Sequence, residues 1–138
     1  GAIYFLMDPA DVNRIFSHPL TMVGSDGLPH QAHPHPRLWG TFPRLLGHHC
    51  RERGLMSLEQ TVHKMTGLPA RRFGLHDRGT VSPGMAADLV LFDPDAPFLL
   101  DRFKLHSKSK NTPFDGCRME GKVLATYVAG TQVFQAAG

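Results

Sequence analysis

The run Ile3-Tyr4-Phe5-Leu6-Met7 is apolar on both faces. Such a run suits a strand buried inside a parallel sheet rather than a half-exposed one. Asp8-Pro9 then opens a helix: Asp8 can accept from free backbone N–H groups, and Pro9 fits the first helical position. Val12, Ile15 and Phe16 fall on one face at helical spacing. A second short apolar piece, Leu20–Val23, stops at Gly24-Ser25-Asp26-Gly27. Strand, helix, strand in one sheet is a right-handed parallel unit. A buried parallel strand needs neighbours on both sides, and this chain holds too few strands to supply them.

The remaining elements are ordinary by comparison. A Pro-rich polar loop covers Leu28 to Gly40 and carries His30, His33 and His35. Thr41 is expected to cap a helix over Phe42–Arg53, with Leu45, Leu46 and His49 on one face and Gly54 as its left-handed terminator. Ser57-Leu58-Glu59-Gln60 is a capping box. It predicts a helix with Leu58, Val62 and Met65 facing one way, ended by Gly67 and Pro69. A short helix over Pro69–Phe73 stops at Gly74. From Gly79 the character changes, and glycine and proline punctuate short apolar runs. Asp88–Asp93 reads as a strand bounded by Gly84 and Pro94. Val123–Val128 and Gln132–Phe134 read as a hairpin across Ala129-Gly130. Phe98–Phe114 reads as irregular. The boundary near Leu75 separates a helix-rich half from a strand-rich half.

Composition narrows the function classes. The 138 residues are 41% hydrophobic with a net charge of +3, which is not the make-up of a disordered chain. The positive charges are scattered, so no nucleic-acid footprint is expected. No run approaches the roughly 20 apolar residues of a membrane helix, and Ala2–Met7 is too short for a signal peptide. Cys50 and Cys117 cannot make a disulfide framework, and a reducing, cytoplasmic setting is the expectation.

Asp26 is the leading candidate for chemistry. It follows a buried strand directly, where the ends of parallel strands present residues to ligands. A carboxylate there can take a proton from a metal-bound water and return it to a leaving amine. It can equally organise a turn before Gly27. His33 and His35 have the alternate spacing of two imidazoles on one side of an extended strand, a spacing that can share zinc. Pro34 and Pro36 argue instead for a solvated loop. Arg37 can clamp a carboxylate with two hydrogen bonds. Arg44 reads as a solvated helix residue, His48-His49 as split between surface and core, and Lys108-Ser109-Lys110 as a solvated loop. Cys50 reads as a packed side chain, since no partner base accompanies it.

Several motifs in order resemble one family. Gly24-Ser25-Asp26-Gly27, His35-Pro36-Arg37, Gly40-Thr41-Phe42-Pro43-Arg44, Lys64-Met65-Thr66-Gly67-Leu68-Pro69-Ala70 and Asp77-Arg78-Gly79 are similar to the C-terminal third of N-acyl-D-amino-acid deacylases. These enzymes belong to the amidohydrolase superfamily. Gly84–Asp93 looks like the strand that superfamily uses to return to its small β domain. The resemblance covers roughly Met7 to Asp95.

It implies an α/β fold, the C-terminal fragment of a TIM-type barrel of a metal-dependent hydrolase plus part of a small β-sandwich. Ile3–Met7 would be the seventh barrel strand and Leu20–Val23 the eighth. Residues 1–74 would be the closing segment of the barrel, and residues 75–138 the C-terminal part of the sandwich domain. The reaction implied is zinc-dependent hydrolysis of a non-peptide amide, N-acyl-D-amino-acid deacylation first. Asp26 would be catalytic, handling the proton of the water and of the amine, and is the one residue here that can also touch the metal. His35 and Arg37 would lie beside the substrate, a small N-acyl amino acid.

Two departures stand against this. The family's main metal ligands lie on earlier strands, so the chain alone is expected to be inactive. The tail, Ser107–Phe114 with Gly121-Lys122-Val123 and Thr126–Gly130, looks more like dihydroorotases and allantoinases, which makes a cyclic-amide hydrolase the alternative. A non-catalytic binding or assembly module is the third reading. Either way, orphaned barrel strands call for the missing N-terminal barrel segment or for self-association.

Overall fold

The computed structural model describes residues 6–28, 35–106, 108 and 110–136. The chain divides into two compact units, residues 1–74 and 75–138. The first is helical among its described residues, and the second is built on one sheet.

In the first unit, α1 spans Pro9–Ser17, with Asp8 as its N-cap accepting from Ala10 N–H at 2.7 Å and Pro9 at its start. No residue of α1 is buried; Val12, Asn13 and Phe16 are half-buried, whereas Ile15 faces out. Helix α2 covers Arg37–Arg44 and runs directly into a π-helical stretch, Leu45–Glu52. This helix starts earlier than Thr41. Pro36 stands at its N-cap, the Leu38 N–H donates to the His35 carbonyl at 3.0 Å, and the Thr41 hydroxyl donates back to the Arg37 carbonyl at 2.8 Å. Thr41 is therefore an interior helix residue. Gly54 (φ +60°) ends the stretch as expected.

Helix α3, Leu58–Met65, begins at the Ser57–Gln60 capping box, with both reciprocal bonds formed. Helix α4, Gly67–Arg72, follows after a kink at Thr66. The buried stripe along α3 and α4 is Thr61, Lys64, Gly67 and Ala70, not the expected Leu58, Val62 and Met65. Two polar side chains can sit inside because both are bonded there. The Thr61 hydroxyl donates to the Ser57 carbonyl, and the Lys64 ammonium donates to two carbonyls of the His18–Thr21 turn.

The expected eighth barrel strand, Leu20–Val23, forms no ladder, and neither do Leu6 and Met7; Ile3–Phe5 lie outside the described residues. The physical reason is the one visible in the pattern. An extended segment becomes a strand only when a neighbour accepts its backbone groups, and the described part of this unit offers none.

The second unit holds a three-stranded antiparallel sheet in the order β1 (Leu89–Leu99), β2 (Arg118–Val128), β3 (Thr131–Gln135). Val90 pairs with Thr126, which pairs with Phe134. The β2–β3 hairpin turns at Ala129-Gly130, both at positive φ (48° and 77°). Strand β1 runs on past Pro94, where the sequence suggested an end. It does so through irregular pairing between Asp93 and Pro97, with Asp93 Oδ1 accepting from the N–H groups of Asp95 and Ala96. An edge strand tolerates such prolines because its outward N–H groups have no ladder to serve. No helix among the described residues is long and apolar enough to cross a membrane.

Candidate functional site

Asp26 sits near the end of the irregular segment that follows the His18–Thr21 turn. Its φ is +48°, a left-handed value that Asp adopts more readily than most residues. Next to it, Gly27 lies against the first turn of α2. A Cβ on Gly27 would stand 2.7 Å from Leu38 Cδ1 and 2.8 Å from Leu38 Cα, too close for any side chain without movement of the helix. Glycine here allows the close approach that brings the Asp26 carboxylate to α2. There Arg37 Nη2 meets Asp26 Oδ2 at 3.1 Å.

His35 prepares Arg37 for this contact. Its Nδ1 accepts from the Arg37 backbone N–H at 3.1 Å, which leaves Nε2 as the nitrogen that carries the proton in the neutral ring. The three residues singled out by their sequence, Asp26, His35 and Arg37, are thus brought together on one loop-to-helix junction. His30 and His33 lie outside the described residues. The pair is open to solvent: the Arg37 side chain is 39% exposed and that of Asp26 77%. An ion pair so exposed is worth at most about 1 kcal/mol. A competing anion can therefore exchange for Asp26 on the guanidinium, whose Nε is buried with no hydrogen-bond partner among the described residues.

The other titratable residues do different work. Arg44, His48, His49 and Arg53 line a separate cavity of about 450 Å³ where α1 meets α2 and the π-helical stretch. His49 is buried there against the Phe16 ring, 4.8 Å between centroids. Burial, and then the charges of His48, Arg44 and Arg53, hold its pKa below the ordinary 6.5. His48 is turned to Glu52 at 2.7 Å. Cys50 and Cys117 form no disulfide.

In the second unit the Asp77-Arg78 motif is structural. Arg78 donates to both oxygens of Asp77 (2.9 and 3.0 Å) and reaches Asp88 at 3.5 Å, while Asp88 Oδ1 accepts from the Ala129 N–H at 2.9 Å in the hairpin turn. The Arg78 hydrogen bond lowers the Asp77 pKa. Among the described residues no group of three or more His, Cys, Asp or Glu could hold a metal ion, so these residues do not by themselves build a metal centre. Sequence reasoning missed the tertiary partners of the Asp26 segment, Leu38 against Gly27 and Lys64 under Thr21. The glycine was the available signal for the first, and a lysine at the centre of a buried stripe left none for the second.

An amidohydrolase family model matches residues 5–134. The chain is 67% identical over 94 residues to the N-acyl-D-aspartate deacylase of Alcaligenes xylosoxydans xylosoxydans, a match covering 68% of this chain and 19% of that protein. The dihydroorotase of Pelobacter propionicus matches less well, 42% over 84 residues, covering 61% of this chain and 20% of that protein. A crystal structure of D-aminoacylase superimposes with a TM-score of 0.76 at 48% identity, over 96% of this chain and 26% of that one. The N-acyl-D-glutamate deacylase of Bordetella bronchiseptica, complexed with zinc and a phosphonate mimic of the tetrahedral intermediate, gives 0.72 at 46%, over 93% and 25%. The chain spans about a fifth of the length of the curated relatives it matches. With a family model matched along nearly its whole length, this chain belongs to the amidohydrolase family.

Proposed function

We propose that the chain is the C-terminal portion of a zinc-dependent N-acyl-D-amino-acid deacylase, with Asp26 as its proton-transferring residue and Arg37 as the anchor for the substrate carboxylate. The observation that carries this reading is the exposed Asp26–Arg37 pair at 3.1 Å. A carboxylate and a guanidinium that hold each other weakly are both available to a substrate. Arg37 offers a planar fork that matches a carboxylate. Once that anion occupies it, Asp26 is released to accept a proton from the attacking water. A C–O bond forms at the amide carbon, the C–N bond breaks, and Asp26 returns the proton to the departing amine. His35 keeps the first turn of α2 in place beside the substrate.

The zinc ligands in this reading lie outside the chain, and we assign Asp26 alone a place beside the metal. In the complete protein residues 1–74 would close an α/β barrel and residues 75–138 would join a β-sandwich. The exposed Leu6, Leu20, Leu89, Val90 and Leu91 would then be covered by the upstream polypeptide. Without it they favour self-association, and a well-behaved monomer in sedimentation of the chain alone would count against that part. The two unpaired cysteines suit a reducing cytoplasm.

The test is steady-state hydrolysis of N-acetyl-D-aspartate and N-acetyl-D-glutamate by the complete zinc-loaded enzyme. Asp26→Asn is expected to lower kcat by about 10²–10⁴-fold, the usual share of a positioned acid-base group. Arg37→Met is expected to act mainly through KM. An Asp26→Asn enzyme with undiminished kcat overturns the assignment.

A further inference from the structure

Lys64 is the most deeply buried cation of the described chain, with only 5% of its surface exposed. A buried ammonium ordinarily needs an anion or several good acceptors. Among the described residues no carboxylate pairs with Lys64. Its Nζ donates instead to two main-chain carbonyls, those of His18 and of Thr21, the latter at 3.1 Å. Both belong to the turn that leaves α1, and both lie more than 40 residues from Lys64 in sequence.

Residues 21–28 carry no regular secondary structure and have no strand partner among the described residues. The segment is held at its far end by the Gly27 approach to Leu38 and by the Arg37–Asp26 pair. At its root it is held by Lys64 and by the Thr21 N–H bond to the His18 carbonyl. A segment pinned at both ends has far fewer conformations than one pinned at its tip alone. We propose that Lys64 is a positioning residue for Asp26: its ammonium ties the root of the 21–28 segment to α3, and so sets where the Asp26 carboxylate stands. The inference rests on the role given above to Asp26. It requires two things a merely stabilising lysine does not: the effect must appear in kcat rather than KM, and it must travel through Asp26.

The experiment uses the complete zinc-loaded enzyme with N-acetyl-D-glutamate, and compares Lys64→Met, Lys64→Gln and Lys64→Arg, with Lys64→Met repeated in an Asp26→Asn background. Lys64→Met is expected to lower kcat by about 10–10²-fold, the scale of a small misplacement of a catalytic group, while KM stays within about threefold. Lys64→Gln, which keeps one donor, is expected to fall between, and Lys64→Arg to recover most of the activity. In the Asp26→Asn background the further loss is expected to shrink to within about threefold, because two residues acting as a unit are not additive. An unchanged kcat in Lys64→Met, or an equal fold-loss in both backgrounds, overturns the proposal. If Lys64→Met does not fold, Lys64→Gln carries both comparisons.

Amide hydrogen exchange at Thr21, whose N–H is bonded to the His18 carbonyl, and at Gly27, bonded to Ser25 Oγ, in the same variants reads the tether without reference to activity. Exchange faster by about tenfold or more is expected in Lys64→Met. Unaltered exchange rules out the tether. Should Asp26→Asn prove fully active, the role of Asp26 fails, and the exchange result still decides whether Lys64 anchors the segment.

Discussion

In the helical unit, the segments that matter are joined by side chains that reach across the sequence. Lys64 holds the His18–Thr21 turn, Arg37 holds Asp26, and Leu38 packs against Gly27. In the sheet unit the joining is done by backbone ladders, and side chains such as Asp88 only trim the turn at Ala129. Burial follows the same division: among the described residues Leu45, His49, Met56, Thr61, Lys64, Gly67 and Ala70 are buried in the first unit and Ala125 alone in the second. Backbone ladders tolerate replacement of almost any single side chain, whereas side-chain braces do not. The unit with the candidate site is therefore the one whose geometry single substitutions can break.

The largest expected effect is at Gly27. Gly27→Ala puts a methyl group against the Leu38 backbone, a clash of the overpacking kind that costs about 1–3 kcal/mol. Urea unfolding followed by the fluorescence of Trp39, the single tryptophan, should show that loss. Amide resonances of residues 89–135 should not move, and if the sheet unit responds equally the contrast between the units is lost. A smaller effect is expected from Asp88→Ala, which leaves the Ala129 N–H without its acceptor and takes away the second carboxylate beside Arg78, at about 1 kcal/mol. It should appear as faster amide exchange at Ala129 and Gly130 and leave Trp39 unaffected.

The smallest effect is one of pH. His49 is held below its ordinary 6.5 by burial and then by the neighbouring cations, so the folded unit prefers the neutral ring. Its contribution is complete above 6.5 and is lost as pH falls through the lowered folded value. Trp39-monitored stability should therefore decline on mild acidification, and His49→Phe should flatten that slope. Asp77 has the same sign at lower pH: the Arg78 hydrogen bond depresses its carboxyl, and the stability it lends goes as pH falls through that depressed value. A sheet unit that weakened together with the helical unit near neutrality would contradict this ordering.

Much of the local structure was legible in the residues themselves. Asp8-Pro9, the Ser57–Gln60 box, Gly54 and the Ala129-Gly130 turn act within a few residues, and short-range capping and turn chemistry is written in the side chains concerned. Asp26, His35 and Arg37 were legible as candidates for the same reason. The inward face of α3 was not. A hydrophobic count favours Leu58, Val62 and Met65, and it has no means of knowing that two carbonyls 43 and 46 residues away would accept from Lys64. The start of α2 was hidden as well, because Arg37–Gly40 look like the end of a Pro-rich loop until His35 and Pro36 turn the chain into a helix. The run of β1 through Pro94 depended on its place at the sheet edge, which no residue of the strand announces.

By itself, then, the sequence determined most helices and the sheet strands, the caps at Asp8 and Ser57, the turns at Gly54 and Ala129-Gly130, and a set of motifs specific enough to mark the amidohydrolase family. Tertiary structure alone decided which residues are buried along α3, that Asp26 meets Arg37, and that Leu20–Val23 forms no strand. The reason is physical. Caps and turns are satisfied by neighbours along the chain, whereas a buried charge, an ion pair across a loop and a sheet edge are satisfied only by groups that folding brings from a distance.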